Sequence, residues 1–354
     1  MIAAQATLAE PKLQVRQYEE SLGSAWDEFV LGQPSGTLFH LTAWKRAIEK
    51  SFGFQPRYLL VEDETGIRGV LPLFLVSNAI QGKTLISTPF AVYGGICAAD
   101  EHAATSLREA ASELARKERV QYLELRERQP YGDPSFHTKE LYVSFDQELP
   151  ETPEQLMKGF PRDTRYMIRK GQKEGLRSTV DSAHLPLFHH IYAHSVRNLG
   201  TPVFSLDFFR TLLHEFRDSS ELTIIWKEEQ AIAGVLSFRF HDCILPYYGG
   251  SLPEGRRYAA NNFMYWDVMT RAMQNGLRRF DFGRSKVGTG AYAFKTQWNM
   301  REHALPYQFF LVRRKDMPNF SPANPRFQAA ISLWKRIPLP VTKMLGPSLV
   351  RLFP

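Results

Sequence analysis

Cysteine is the scarcest residue in this chain of 354: Cys97 and Cys243 are the two, far apart and in no Cys-x-x-Cys arrangement. That scarcity excludes a disulfide framework and a zinc ribbon, and it fits a reducing compartment in which both are small buried apolar side chains. The opening residues, MIAAQATLAEPKLQVRQYEE, show no basic start followed by an apolar run, so no secretory signal is expected. No uninterrupted apolar stretch approaches the ~20 residues needed to cross a bilayer. A cytoplasmic protein is expected, soluble or attached only at the inner face of the membrane. The glycine-bearing loop Gly283-Arg-Ser-Lys-Val-Gly-Thr-Gly290 lacks the Gly-Lys-Ser/Thr of a Walker motif and the glycine spacing of a dinucleotide site. Four histidines crowd one stretch, and His190 and His194 are four apart, but no Glu follows in the metalloprotease manner and no cysteine is near. No metal is expected.

What is present is ample core material. Hydrophobic residues make up 44% and aromatics 13%, and the length exceeds what one core usually fills, so two domains are expected. Net charge is +7, unevenly placed. From Arg313 to Pro354 there are eight basic residues and one acid, Asp316, which leaves 36 bases against 36 acids elsewhere. The body is neutral and the tail is basic.

Periodicity predicts an α/β sandwich (α+β) with mixed sheets. Ser24–Phe29 and Ala43–Ser51 read as helices anchored by Trp26, Phe29, Trp44 and Ile48. Arg57–Glu62 and Ile67–Val76 read as a strand pair joined by Asp63-Glu-Thr-Gly66. A strand over Lys83–Ser87, a helix over Ala103–Glu118 and a strand over Val120–Arg126 follow. Pro150–Pro153 marks a boundary. Beyond it come a basic helix, a long helical stretch around 184–217, strands at Leu222–Lys227, Ala231–Phe240 and Cys243–Gly249, a helix near 261–275 and a strand at Leu277–Gly283. That helix carries Phe263, Trp266, Met269 and Met273 as one stripe, with Asn261 or Asn262 as its cap and Gly276 as its stop. The order repeats that of the first half, so the chain is expected to hold two copies of one architecture, residues 1–150 and 151–315, followed by a tail at 316–354.

Within Lys158–Arg177 there are seven bases and two acids, and Arg162, Arg165, Arg169 and Lys173 form one helical stripe. It suits a polyanion, a nucleotide-lipid diphosphate or a tRNA backbone, as well as it suits a solvated face. No aromatic ladder for stacking single-stranded bases accompanies it, and DNA is not an expected partner.

The stretch from Tyr247 to Trp298 is the most informative. Gly276 at a helix end, Phe280-Asp-Phe-Gly283, the glycine-bearing loop, and Phe294-Lys295 shortly before Trp298 resemble the closing half of FemAB-like transferases, nearest the exosortase-associated group of exopolysaccharide clusters. Gly159–Gly175 resembles the start of such domains, so the resemblance covers about residues 155–310. It implies two tandem GNAT-like acyltransferase domains that join an activated acyl or aminoacyl group to an amine of a cell-envelope precursor, of peptidoglycan or exopolysaccharide. It makes aminoacyl-tRNA or acyl coenzyme A the donor and Lys295 the cation facing the tetrahedral oxyanion, or the holder of a donor phosphate. Asp281 could take the proton of the attacking amine; capping a helix or pairing with Arg279 is equally open. Tyr292, Tyr247 and Tyr248 are relays or packing. Arg284 and Lys286, with the backbone at Gly288 and Gly290, could face a phosphate. The turn before the main helix, Glu254–Asn262, has one glycine where coenzyme A folds use several, so Arg256 and Arg257 would bind phosphate by side chain. Rival readings are an acyl-coenzyme-A-dependent N-acetyltransferase and a non-catalytic glycan- or membrane-binding module. Residues 324–354 alternate prolines with two short helical patterns bearing five bases, suited to the surface of anionic lipid or to a groove on the body filled by Trp334 and Phe353.

Overall fold

The computed structural model describes residues 12–130, 132–318 and 325–354. The first half opens with β1 (Gln14–Gln17), α1 (Gly23–Gly32), α2 (Thr42–Phe52) and the short β2 (Gln55–Pro56). Asp27 caps α2 from α1, taking the Thr42 N–H at 2.7 Å and its hydroxyl at 2.6 Å. Gly53, at φ +65°, closes that helix in the left-handed conformation that glycine adopts without steric cost. Then come β3 (Leu59–Asp63) and β4 (Gly66–Leu71), the expected hairpin. The expected single strand Ile67–Val76 is broken: Pro72 offers no N–H to a ladder, and the chain passes to β5 (Leu73–Asn78) in a different sheet. β6 (Gly82–Ser87), β7 (Cys97–Ala98), α3 (Glu101–Lys117), β8 (Tyr122–Leu125) and β9 (His137–Glu148) complete the half.

The second half runs α4 (Pro153–Gly159), α5 (Arg162–Lys173), β10 (Arg177–Val180), α6 (Leu185–Leu199), α7 (Leu206–Glu215), β11 (Ser220–Lys227), β12 (Gln230–Phe240), β13 (Cys243–Ser251), α8 (Ala260–Gln274), β14 (Arg279–Lys286), α9 (Gly290–Thr296) and β15 (Arg301–Leu311). The long helical stretch is thus two helices. α8 buries the expected stripe, but neither Asn261 nor Asn262 caps it; the cap position is Ala259, left-handed and without a side-chain bond. The tail forms α10 (Pro325–Trp334) and α11 (Leu339–Val350).

Among the described residues, β1-β3-β4-β7 form a small sheet and eleven strands form one continuous sheet in the order β10-β11-β12-β13-β14-β9-β15-β8-β6-β5-β2. The halves exchange their last strands. β9, from the first half, pairs antiparallel with β14, while β15, from the second, pairs with β8, and the two exchanged strands pair with each other. Neither β9 nor β15 was evident as a strand from periodicity, because both are mixed in polarity: their buried residues begin only at Val143 and Leu305. Aromatic packing reinforces the join. Phe52 and Phe90 meet Phe204 and Phe208, and Trp44 and Phe39 meet Phe216 and Tyr247. A fully buried ring of this kind contributes roughly 1.5–3 kcal/mol; Phe90 and Tyr247 are partly buried.

Candidate active site

β13 and β14 run parallel, joined by the crossover helix α8, yet they pair only at Cys243↔Arg279 and Ile244↔Phe280. Beyond those residues β13 continues to Ser251 and β14 to Lys286 without pairing to each other. The facing backbone groups along this opening are therefore unpaired with one another. It lies at the carboxyl ends of two parallel strands, where open α/β sheets receive ligands.

On the β14 side the ladder with β9 slips between Asp281 and Arg284. Gly283, at φ +68°, takes up the extra residue, a bulge that a residue with a Cβ would strain. Asp281 and Lys295 flank it. The Asp281 carboxylate is buried, accepting from the Gly283 N–H at 2.7 Å and from the Tyr93 hydroxyl at 3.0 Å. Burial raises its pKa, and Gly283, Arg128, Tyr93 and Lys295 partly oppose the rise. It does not pair with Arg279, which lies 3.5 Å from Asp242 instead. Lys295 sits in the last turn of α9. Its ammonium donates to the carbonyls of Phe282 (2.5 Å), Gly283 (3.1 Å) and Arg284 (3.1 Å). Burial lowers its pKa to about 8, with Asp281 opposing and Arg284 adding to the fall. So Lys295 does not point into bulk solvent; its charge fastens the bulge.

Arg284 is held between rings, over Tyr142 at 4.6 Å and donating to the Tyr307 hydroxyl at 2.9 Å. Tyr307 in turn donates to Val92 O. Arg128 lies over Tyr93 at 4.6 Å. Ser285, next along β14, has a buried hydroxyl with no partner among the described residues, a polar atom available to a ligand. Tyr93, Arg128, Tyr142 and Tyr307 were missed by sequence reasoning. Tyr93 stands 188 residues from Asp281, and no local pattern links them.

The remaining expected residues divide. Tyr292 donates to Glu302 and not toward Asp281; Tyr247 donates to Phe90 O, and Tyr248 packs among Phe204, Phe208 and Phe209. Gly288, at φ +79°, makes the turn after β14, Gly290 starts α9, and Thr289 caps that helix by accepting from Tyr292 N. Lys286 ends β14, half-buried. Arg256 and Arg257 are exposed on the turn that leads from β13 into α8, at the end of the opening. α5 lies along α8. The Thr164 hydroxyl bonds Gln297 O at 2.6 Å just past α9, and Gly171 abuts Phe263 in the first turn of α8, where an added Cβ would come within 2.7 Å. The basic stripe with Arg165 and Arg169 therefore extends from the end of α9 toward the start of α8, and among the described residues no acid pairs with it. His190 and His194 rings are 6.3 Å apart, and among the described residues no three His, Cys, Asp or Glu side chains gather as a metal site. A cleft of about 390 Å³ lined by Gly53, Phe54, Asn78, Arg351 and Leu352 shares no residue with this cluster.

Residues 159–296 match the model of the acetyltransferase (GNAT) domain. This segment is similar to GNAT-type acetyltransferase domains. It spans α5 through α9 and so includes the opening, Asp281 and Lys295. No curated protein matches the chain by sequence. Among solved structures, the crystal structure of FemX is similar at 15% identity and a TM-score of 0.67, covering 85% of this chain and 98% of that one. A tandem GNAT protein from the clavulanic acid biosynthesis pathway follows at 12% identity and 0.55, covering 86% and 100%. L-PGS from Bacillus licheniformis is similar at 14% identity and 0.53, covering 95% and 98%. At such identities the likeness is one of fold: two GNAT-like domains in tandem.

Proposed function

We propose that the chain transfers an aminoacyl or acyl group from an activated ester or thioester to an amine of a cell-envelope precursor, forming an amide. The observation that carries this reading is a buried carboxylate, Asp281, held beside the Lys295-fastened bulge at the mouth of an opening between two parallel strands. The amine nitrogen attacks the donor's carbonyl carbon, and the carbonyl electrons move to oxygen. As the tetrahedral centre collapses, the bond to the donor's oxygen or sulfur breaks and the amide remains. Asp281, made more basic by burial, accepts the amine's proton and returns it to the leaving group. Lys295, with Arg284 beside it, contributes positive potential to the developing oxyanion through the bulge it fixes, in a site where water is scarce.

Aminoacyl-tRNA is the first reading of the donor, supported by the basic stripe of α5, which pairs with no acid among the described residues, and by Arg256 and Arg257 on the turn before α8. Each is suited to backbone phosphates. Acyl coenzyme A is the second, supported by the match to an acetyltransferase domain. An envelope acceptor rests on the FemAB-like sequence resemblance together with the FemX-like fold; the exosortase and exopolysaccharide assignment rests on sequence resemblance alone. The test is incubation with radiolabelled aminoacyl-tRNA and, separately, acyl coenzyme A, with and without an amine acceptor, comparing wild type with Asp281→Asn and Lys295→Ala. Consumption of one donor that both substitutions abolish is the expected result. Consumption of neither would leave the non-catalytic binding module.

A further inference from the structure

The basic tail is seated on the body, and the way it is seated is unusual. Thr342, Gly346 and Val350, at spacings of four, form the buried face of α11. A Cβ at Gly346 would meet Val203 at 2.8 Å, so the helix lies close on the backbone there. Further along, Arg351 donates to Phe52 O, Gln81 to Leu352 O and Arg126 to Pro354 O. Trp334 of α10 is buried and donates to Thr201 O. Of the two side chains offered for a groove on the body, Trp334 is buried and Phe353 is exposed.

The opposite face of α11 is the apolar one. Val341, Met344 and Leu345 point outward, Met344 being 71% exposed, and Leu333 of α10 is 64% exposed. A helix that turns a hydroxyl and a glycine inward and a Val-Met-Leu face outward inverts the ordinary arrangement, and such patches mark interaction surfaces. Lys335 and Arg336 flank the patch as exposed side chains and Lys343 as a half-buried one. Residues 325–354 contain no Asp or Glu. None of the helices among the described residues is long and apolar enough to cross a membrane.

We infer that α11, with the end of α10, is a peripheral membrane-docking element that lays Val341, Met344, Leu345 and Leu333 into the headgroup boundary of an anionic bilayer. Charge decides the occupant. An apolar ridge edged by bases and free of acids complements a negatively charged lipid surface, whereas a second copy of the same basic tail would be repelled. The inference stands apart from the choice of donor, since none of these residues belongs to the opening.

The experiment uses the full chain and sedimentation with vesicles of phosphatidylcholine alone or mixed with phosphatidylglycerol, at low and high salt. Binding to the anionic vesicles, weakened by salt and reduced about tenfold in a Met344→Ser/Leu345→Ser double variant, is expected, with Lys343→Gln/Arg336→Gln lowering only the salt-sensitive part. Arg336, Met344 and Leu345 are exposed and Lys343 is half-buried, and unchanged thermal melting of each variant confirms that the fold is intact. No binding to anionic vesicles, or binding indifferent to the apolar pair, overturns the inference. So does a wild-type dimer in sedimentation velocity that the double variant dissociates, since the patch would then be a self-association surface.

Discussion

The two halves contain the same device, a parallel strand pair that separates after two residue pairs, and they use it differently. In the first half β6 and β8 pair at Leu85↔Leu123 and Ile86↔Glu124. The space beyond is plugged by its own chain. Arg126 sends its guanidinium to the carbonyls of Thr88 and Ala91 at 3.1 and 2.9 Å, and its N–H to the Ser87 hydroxyl. Glu127 accepts from Ile96 N and lies so close to Gly95 that a Cβ there would meet the carboxylate at 2.2 Å. In the second half the strands β13 and β14 part around a bulge flanked by Asp281 and Lys295. In one copy the separation is filled by Arg126 and Glu127; in the other it is flanked by Asp281 and Lys295. The first half still contributes, since the plugged loop delivers Tyr93 to Asp281 and the Val92 carbonyl to Tyr307. Two halves of like fold thus fill the same strand separation differently, while the exchanged strands β9 and β15 join them.

The comparison would break most plainly at Asp281. Asp281→Asn is expected to lower turnover by about 10²–10⁴-fold with little change in melting temperature, measured by donor consumption beside thermal denaturation. If the first half is a support, Arg126→Met should do the reverse. Removing a guanidinium that satisfies several buried carbonyls should cost about 2–4 kcal/mol in urea unfolding, with turnover per folded molecule nearly kept. Tyr93→Phe, which removes the bond across the halves, is expected to slow turnover about tenfold and to shift the acidic limb of its pH profile; an unshifted limb would make Tyr93 purely structural.

Lys295 sharpens the comparison through pH. Its folded pKa of about 8 lies below the ordinary 10.5, so between those values the unfolded chain binds a proton that the folded chain has released. Stability from this group therefore rises with pH across that window, and turnover that depends on the cation falls as pH passes about 8. Urea midpoints against pH for wild type and Lys295→Met would show the slope and its loss. The smallest effect is expected from Arg165→Gln/Arg169→Gln: a rise of several-fold in KM for an aminoacyl-tRNA donor, steeper at low salt, with kcat kept, and no change for acyl coenzyme A.

Much of the second half was legible locally. The stripe of α8, its stop at Gly276, and the β11–β12 hairpin follow from spacing alone, because each depends on residues within a turn or a strand of one another. The segment with Asp281 between two phenylalanines and Lys295 ahead of Trp298 could likewise be picked out. What Lys295 touches could not, since its three carbonyl partners exist only once β14 bulges at Gly283. β9 and β15 escaped because each pairs with strands of the other half, more than 100 residues away, and their outer portions face solvent.

The chain by itself determined an α/β protein with a neutral body, a basic acid-poor tail and a closing segment that resembles FemAB-like transferases. Composition and short-range periodicity act within a few residues and need no partner to be read. Only the tertiary structure decided that the halves trade strands, that Arg126 and Glu127 fill one strand separation while Asp281 and Lys295 flank the other, that Tyr93 reaches Asp281, and that the tail turns its apolar face outward. Those outcomes depend on which distant backbone groups find each other when the sheet closes, and pairing of that range leaves no local trace.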